Sequence, residues 1–280
     1  MTNDRSFELW PNPPAIVAGL RVCAGGSDGP VLLLVSGLGA TAEVWTGVAA
    51  IADRHWAGRW IAPDLPGHGG SDRSASGEYT FPNMAAALAG AIAEIAPDQP
   101  MTVLGHSLGG VLGLQLAATR PAPPPVANVI GIGIKVVWTD TELERAAALA
   151  DRPAAVFPTK AAATDRHLRV SGLAGLLDPD DPRLAPGVRE TDQGWVLALD
   201  PRTFAVGAPP MAELLAAAGC PVTLAAGEHD QLVSWEQLAA LVPDPVQLPG
   251  LGHNAHVEDP AVTWALLADR APGPGSAVRS

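Results

Sequence analysis

Cysteine, lysine and tyrosine are scarce in this chain. Two cysteines, Cys23 and Cys220, lie far apart in 280 residues. So few and so distant, they make neither a disulfide framework nor a zinc cluster, and each reads as a small buried residue. Only Lys135 and Lys160 are lysines among 17 basic residues, and no basic run occurs. With a formal net charge of −12, the chain lacks the electrostatic footprint of a nucleic-acid binder. No run of uninterrupted apolar residues is long enough for a transmembrane helix, which needs about 18. The opening MTNDRSFELWPNPP has no basic n-region and no apolar h-region, so no signal peptide is expected. The default expectation is a reduced, cytoplasmic compartment with neither a nucleic-acid nor a membrane partner.

What is plentiful is apolar. Hydrophobic residues make up 48% and charged residues 16%, enough for a sizeable core. The runs alternate between strand and helix. VLLLVSG (31–37), RWIAPDLPG (59–67), MTVLGH (101–106), NVIGIGI (128–134), PVTLAAG (221–227) and PVQLPG (245–250) read as strands. Continuous aliphatic runs of this kind suit strands buried on both faces of a parallel sheet. Helices are expected over 41–53, from a Thr80 cap to about Ile95, over 107–119, and after Asp259-Pro260, with Thr41 capping the first. LRVCAGG (20–26) reads as an antiparallel edge strand. The alternation predicts an α/β fold with a doubly wound, mostly parallel sheet.

That rhythm stops between about Lys135 and Ala208. Thr139 has capping-box spacing with Glu142, Thr159 is a second cap, Gly172 a stop, and GWVLALD reads as a strand. The expectation is a core of 1–134 and 209–270, a helical cap at 135–208, and a flexible tail at 271–280.

Gly105-His106-Ser107-Leu108-Gly109 stands where a strand becomes an alanine-rich helix. A serine there caps a helix in most proteins. G-x-S-x-G in a strand–turn–helix setting is instead the pattern of a nucleophile lifted out of a sheet by a strained turn. The helix N-terminus supplies free N–H groups for an oxyanion, with Leu108 as first donor. Leu38, in the Ser36-Gly37-Leu38-Gly39-Ala40 loop after the first long strand, is the expected second donor. A serine needs a base, and His253 follows the last strand, on the sheet edge where loops from parallel strands gather. His256 is the rival base. Asp230, after the fifth strand, is the expected orienting acid, with Glu228 and then Asp140 as second choices. His55 and His167 read as helix-surface residues.

Taken together, VLLLVSGLGATAEVW, APDLPGHGGSD, VLGHSLGGVLG, VTLAAGEHDQLV and LPGLGHNAHVEDP stand in the order found in the α/β-hydrolase superfamily. The chain resembles a capped member of it over roughly 30–134 and 209–270. The resemblance implies a triad of Ser107, Asp230 and His253, and a cap covering the pocket. Asp64 and His68 fall in a loop the family uses structurally. One departure stands out: Ser36-Gly37 replaces the His-Gly of many relatives. Trp138, Phe157, Trp195 and Phe204 are the candidate pocket residues of the cap. The reaction implied is hydrolysis of a carboxylic ester, lactone or thioester of a small, largely apolar substrate, with no metal and no organic cofactor. Carbon–carbon bond hydrolysis or lyase chemistry, cofactor-free perhydrolysis, and a non-catalytic receptor are the alternatives. Epoxide hydrolysis and dehalogenation are disfavoured, because those relatives carry aspartate at the position of Ser107.

Overall fold

A computed structural model describes residues 9–119 and 125–268. The tail expected at 271–280 lies outside the described residues. In chain order the first elements are β1 (Ala15–Val17), β2 (Leu20–Gly26), β3 (Val31–Val35), α1 (Thr46–His55), β4 (Arg59–Pro63) and α2 (Phe81–Ile95). Then come β5 (Met101–His106), α3 (Leu108–Ala118), β6 (Val126–Ile132), α4 (Asp140–Ala150), β7 (Val156–Phe157), α5 (Lys160–Val170), β8 (Val188–Thr191) and β9 (Gly194–Leu197). The last are α6 (Met211–Ala217), β10 (Val222–Gly227), α7 (Trp235–Ala239), β11 (Val246–Leu248), α8 (Ala255–Glu258) and α9 (Pro260–Ala268).

Eight strands form one sheet in the order β1-β2-β4-β3-β5-β6-β10-β11. From β4 to β11 every pairing is parallel; β1–β2 and β2–β4 are antiparallel. The period of two along each strand divides its side chains between two cores. Val31, Leu33 and Val35 of β3 join Leu88 of α2 and Leu112 of α3 on one face. Leu32 and Leu34 join Val48 of α1 and Leu267 of α9 on the other. Each fully buried Leu contributes about 1.5–3 kcal/mol of transfer free energy. This is the doubly wound arrangement the aliphatic runs imply. Among the described residues, no helix is long and apolar enough to cross a membrane.

The edge of the sheet differs from the sequence expectation. β2 is internal, because the short strand β1, hidden in PPAIV before a turn at Ala18-Gly19, pairs outside it. Thr41 makes no capping bond at the 3-10 turn Ala42–Trp45 that precedes α1. The Ala42 N–H goes instead to Asp64 Oδ1 at 2.8 Å, a buried carboxylate from the loop after β4. Thr80, Thr139 and Thr159 do cap α2, α4 and α5, with the full capping box at Thr139 and Glu142.

The segment between β6 and β10 carries α4 and α5, and also a three-stranded antiparallel sheet in the order β7-β9-β8. It is therefore a mixed layer, not helical alone. β7 is two residues long and β8 reads VRET, too short and too polar for a periodic signal. The loop 64–72 holds this layer to the main sheet. Gly69 N–H donates to Ala198 O at 2.7 Å and Asp200 N–H to Gly67 O at 2.8 Å. Tyr79 Oη–H donates to Asp200 Oδ2 at 2.8 Å. His167, expected on a helix surface, is buried in this layer at 3% exposure. It fits because Gly187 has no side chain: a Cβ there would stand 2.1 Å from the His167 ring.

Candidate active site

Ser107 joins β5 to α3 with φ +50° and ψ −117°, one of three non-glycine residues with positive φ among those described. An L-residue adopts that conformation at a cost of about 1–3 kcal/mol and keeps it only where the surroundings enforce it. They do so here. A Cβ at Gly105 would stand 2.4 Å from Gly109 backbone, and one at Gly109 would stand 2.1 Å from Val35 O. The two glycines let the first turn of α3 close onto β5 and β3. Ser107 N–H donates to Ile132 O of β6 at 2.8 Å, which fixes the turn from the other side. Its side chain makes no capping bond, so the serine is not spent as a helix cap.

The loop after β3 comes against this turn. A Cβ at Gly37 would be 3.2 Å from Ser107 Cβ, so Leu38 follows directly from a contact with the serine. Leu108 is the first residue of α3, and its N–H has no intrahelical acceptor. These are the two positions expected to hold an oxyanion.

His253 and Asp230 meet. His253 Nδ1 lies 2.9 Å from Asp230 Oδ2, and the Asp230 side chain is fully buried. Its other oxygen accepts from Leu232 N–H at 2.8 Å. Asp230 thereby has a fixed orientation and turns Nδ1 of the imidazole toward itself, leaving Nε2 for other work. The His253 ring packs edge-on against His106 at 4.7 Å between centroids. His106 Nε2 lies 3.0 Å from His253 O. The residue before the serine is thus turned onto the histidine loop, away from the hydroxyl.

Glu228 is exposed and accepts from Gly250 N–H at 2.8 Å, and Asp140 is exposed at the start of α4. Neither reaches His253. His256 is 1% exposed, wedged between Trp45 and His106 at 4.3 and 4.4 Å. Burial, and then the nearby His253, push its imidazole down to about 3. Burial and the two neighbouring histidines likewise hold His106 well below the usual range. Both are neutral rings stacked behind His253.

Gly133, read only as part of a strand, belongs to the site. It follows β6 with φ +64°, and a Cβ there would stand 3.2 Å from His253 Nδ1 and 3.3 Å from Asp230 Oδ2. The G-I-G alternation was its one signal. Asn254 was also missed; its Nδ2 donates to Gly172 O at 2.9 Å, tying the histidine loop to the layer above.

Two of the clefts in that layer hold candidate pocket residues. One of about 280 Å³ includes Leu38, Trp138 and Phe204; a second of about 330 Å³ includes Phe157 and Phe204. Trp195 lines neither and pairs with Phe157 across β9 and β7. Asp64 and His68 stand away from the site. Asp64 also accepts from Gly70 N–H at 2.9 Å and pairs with Arg21 at 3.1 Å. Cys23 is buried and Cys220 half-buried. Among the described residues, no group of three or more His, Cys, Asp or Glu is placed to hold a metal ion.

The alpha/beta hydrolase fold family matches residues 30–260, and the chain belongs to it. It is 39% identical over 109 residues to the magnesium-chelatase 30 kDa subunit of Rhodobacter capsulatus, covering 39% of this chain and 36% of that one. It is 38% identical over 94 residues to the pimeloyl-(acyl-carrier protein) methyl ester esterase of Aeromonas salmonicida, 34% of each chain. The chain thus spans about a third of the length of these curated relatives. An esterase of Mycobacterium tuberculosis superposes with a TM-score of 0.71 at 25% identity, over 92% of this chain and 89% of that one.

Proposed function

We propose that the chain is a serine hydrolase cleaving carboxylic esters, lactones or thioesters through an acyl-enzyme on Ser107. The observation that carries the reading is a strained serine, without a capping role, at the sheet edge where a buried aspartate orients a histidine. In the first step His253 Nε2 takes the Ser107 proton as Oγ bonds the carbonyl carbon. The Leu38 and Leu108 N–H groups hold the oxyanion. Asp230 stabilises the imidazolium. The carbon–oxygen or carbon–sulfur bond then breaks, and His253 gives its proton to the leaving group. Water, deprotonated by His253, attacks the acyl-serine. The acid departs and the proton returns to Ser107.

Residues 135–208 are read as the cap over this chemistry. Their clefts, reaching Leu38, supply the surface that selects a small, largely apolar substrate. The protein acts on a small molecule in this reading.

The test is progressive labelling by a fluorophosphonate together with release of 4-nitrophenol from short acyl esters. Labelling confined to Ser107 by peptide mapping supports the reading. A folded wild-type protein that neither labels nor turns over any ester overturns it in favour of a ligand receptor.

A further inference from the structure

The cleft beside Leu38 has an uneven charge. Its walls are apolar, from Leu38, Leu143, Leu149 and Phe204, yet Lys135 and Arg145 also line it, against the one carboxylate of Glu142. Leu149 and Phe204 are shared with the second cleft, which adds Arg152 and Arg166 and no acid. Four cations face one carboxylate here, in a chain with 29 acidic and 17 basic residues overall. Arg145, Arg152 and Arg166 enter no ion pair among the described residues.

Lys135 is the central group. It follows β6 two residues after Gly133, which touches the Asp230–His253 pair. Its side chain is 17% exposed and its ammonium lies 4.6 Å over the Trp138 ring. Trp138 Nε1–H in turn donates to Lys135 O at 3.0 Å, which fixes the ring. Nζ donates to Glu142 Oε1. The other Glu142 oxygen is taken by Thr139 N–H in the capping box. An ammonium has three donors, and one carboxylate oxygen and a ring face leave room for a ligand acceptor. Glu142 balances the charge of this half-buried ammonium but engages it through one oxygen, so N–H donors of Nζ remain for a further acceptor.

Resting on the serine-hydrolase reading above, we infer that this cleft takes an anionic substrate, an ester whose acyl chain or alcohol carries a carboxylate received by Lys135 and Arg145. The apolar walls take the carbon chain, and the cations take its end. The cleft then selects by charge where an apolar pocket alone discriminates only by size.

Two matched pairs test this. 4-Nitrophenyl hydrogen adipate against 4-nitrophenyl hexanoate places the carboxylate on the acyl side. 4-Carboxyphenyl hexanoate against phenyl hexanoate places it on the alcohol side. In one pair kcat/KM for the anionic member is expected to exceed that of its partner at least about tenfold, the scale of one charge-assisted hydrogen bond. The ratio is taken within each variant, so a general loss of activity cancels. Lys135→Met should bring it close to unity, and Lys135→Arg should restore much of it. A wild-type ratio near or below unity in both pairs overturns the inference. A high ratio that survives Lys135→Met overturns the role of Lys135. Calorimetric binding of methyl hydrogen adipate and methyl hexanoate to Ser107→Ala separates the two readings. If wild type hydrolyses nothing, the serine reading fails, and tighter binding of the anionic ester still supports the cleft; equal binding defeats it.

Discussion

The main sheet and the layer between β6 and β10 are built to different tolerances. Every residue of β3 and β5 is buried, whereas α4 buries only Ala150. Ser107, Asp230 and His253 all come from the ends of sheet strands, where two cores fix the backbone from both faces. The clefts belong to the other layer, which joins the sheet through hydrogen bonds at Gly67, Gly69, Tyr79 and Asn254 and through Leu168, Leu173, Leu177 and Leu184 packed into the core on one face. Under the proposed function, the groups that move protons stand on the over-determined part, and the groups that choose a substrate stand on the other layer.

The strongest way to break that comparison is to exchange the effects. Asp230→Asn should lower kcat about 10⁴-fold if the precedent of buried triad aspartates transfers, and Ser107→Ala at least as much. Trp138→Ala and Phe204→Ala, in the layer, should act mainly on KM and on chain-length preference, by about tenfold or less. Glu228→Gln should stay within a few-fold of wild type. Steady-state kinetics on one ester series decide it, and a layer substitution matching Asp230→Asn in kcat would abolish the distinction.

Acid should act at the seam. His68, on the loop that holds the layer, and His167 of α5 are both pushed down to about 4, chiefly by burial, and His256 to about 3. A buried imidazole with a lowered value binds its proton later than the unfolded chain does. Stability is therefore complete above about 6.5, the unfolded value, and is lost as pH falls from there toward 4. Each such histidine contributes a slope of about 1.4 kcal/mol per pH unit across that window. Asp64, raised by burial and by Glu43 to about 6, works in the opposite sense and offsets part of it. Urea unfolding between pH 7.5 and 4.5 reads the sum. A stability that is flat or rises on acidification contradicts the buried neutral histidines.

What could be read in advance was what is local. The serine turn, the acid and the histidine each follow an aliphatic strand within a few residues, and β-α order alone brings such loops to one edge. Capping at Thr80, Thr139 and Thr159 was legible for the same reason. The misreadings are long-range. Thr41 lost its capping role to Asp64, which the turn after β4 delivers to the Ala42 N–H from 22 residues further along the chain. His167 sits in a polar helix sequence, and only the missing side chain of Gly187 makes room for it inside. Gly133 looks like any strand glycine until β10 and β11 bring Asp230 and His253 against it. No periodicity encodes such contacts.

One substitution made in three places sharpens the comparison further. Gly109→Ala drives a Cβ to within 2.1 Å of a backbone oxygen of β3, which cannot give way. It should cost about 1–3 kcal/mol or more and displace Ser107 as well. Gly175→Ala, in the layer, meets nothing within 4 Å but has φ +85°, so only the backbone cost of about 1–2 kcal/mol applies. Gly90→Ala, exposed in the middle of α2 with open space around it, should stabilise by about 0.5–1 kcal/mol. Denaturant midpoints give the order, and activity should fall only for Gly109→Ala.

The most local effect probes the seam itself. Tyr79 stands before α2 on the sheet side, and its hydroxyl donates to Asp200 on the layer side at 2.8 Å, both groups buried. Burial opposes the Asp200 charge, but hydrogen bonds from Arg202 and Tyr79 bring its carboxyl down to about 2. Tyr79→Phe removes one donor and keeps the ring that packs over Gly67. Arg202 still grips the carboxylate with its Nε and Nη2. Ser74 N–H also loses the hydroxyl it donates to at 3.1 Å, so two hydrogen bonds go, together about 1–3 kcal/mol. It should appear unevenly. Amide exchange at Gly69 and Asp200, whose N–H groups bridge the seam, should quicken, while β3 and β5 keep their protection. If the sheet amides quicken by the same factor, the layer and the sheet open as one unit. The division of labour between them would then rest on chemistry alone, without a difference in local stability.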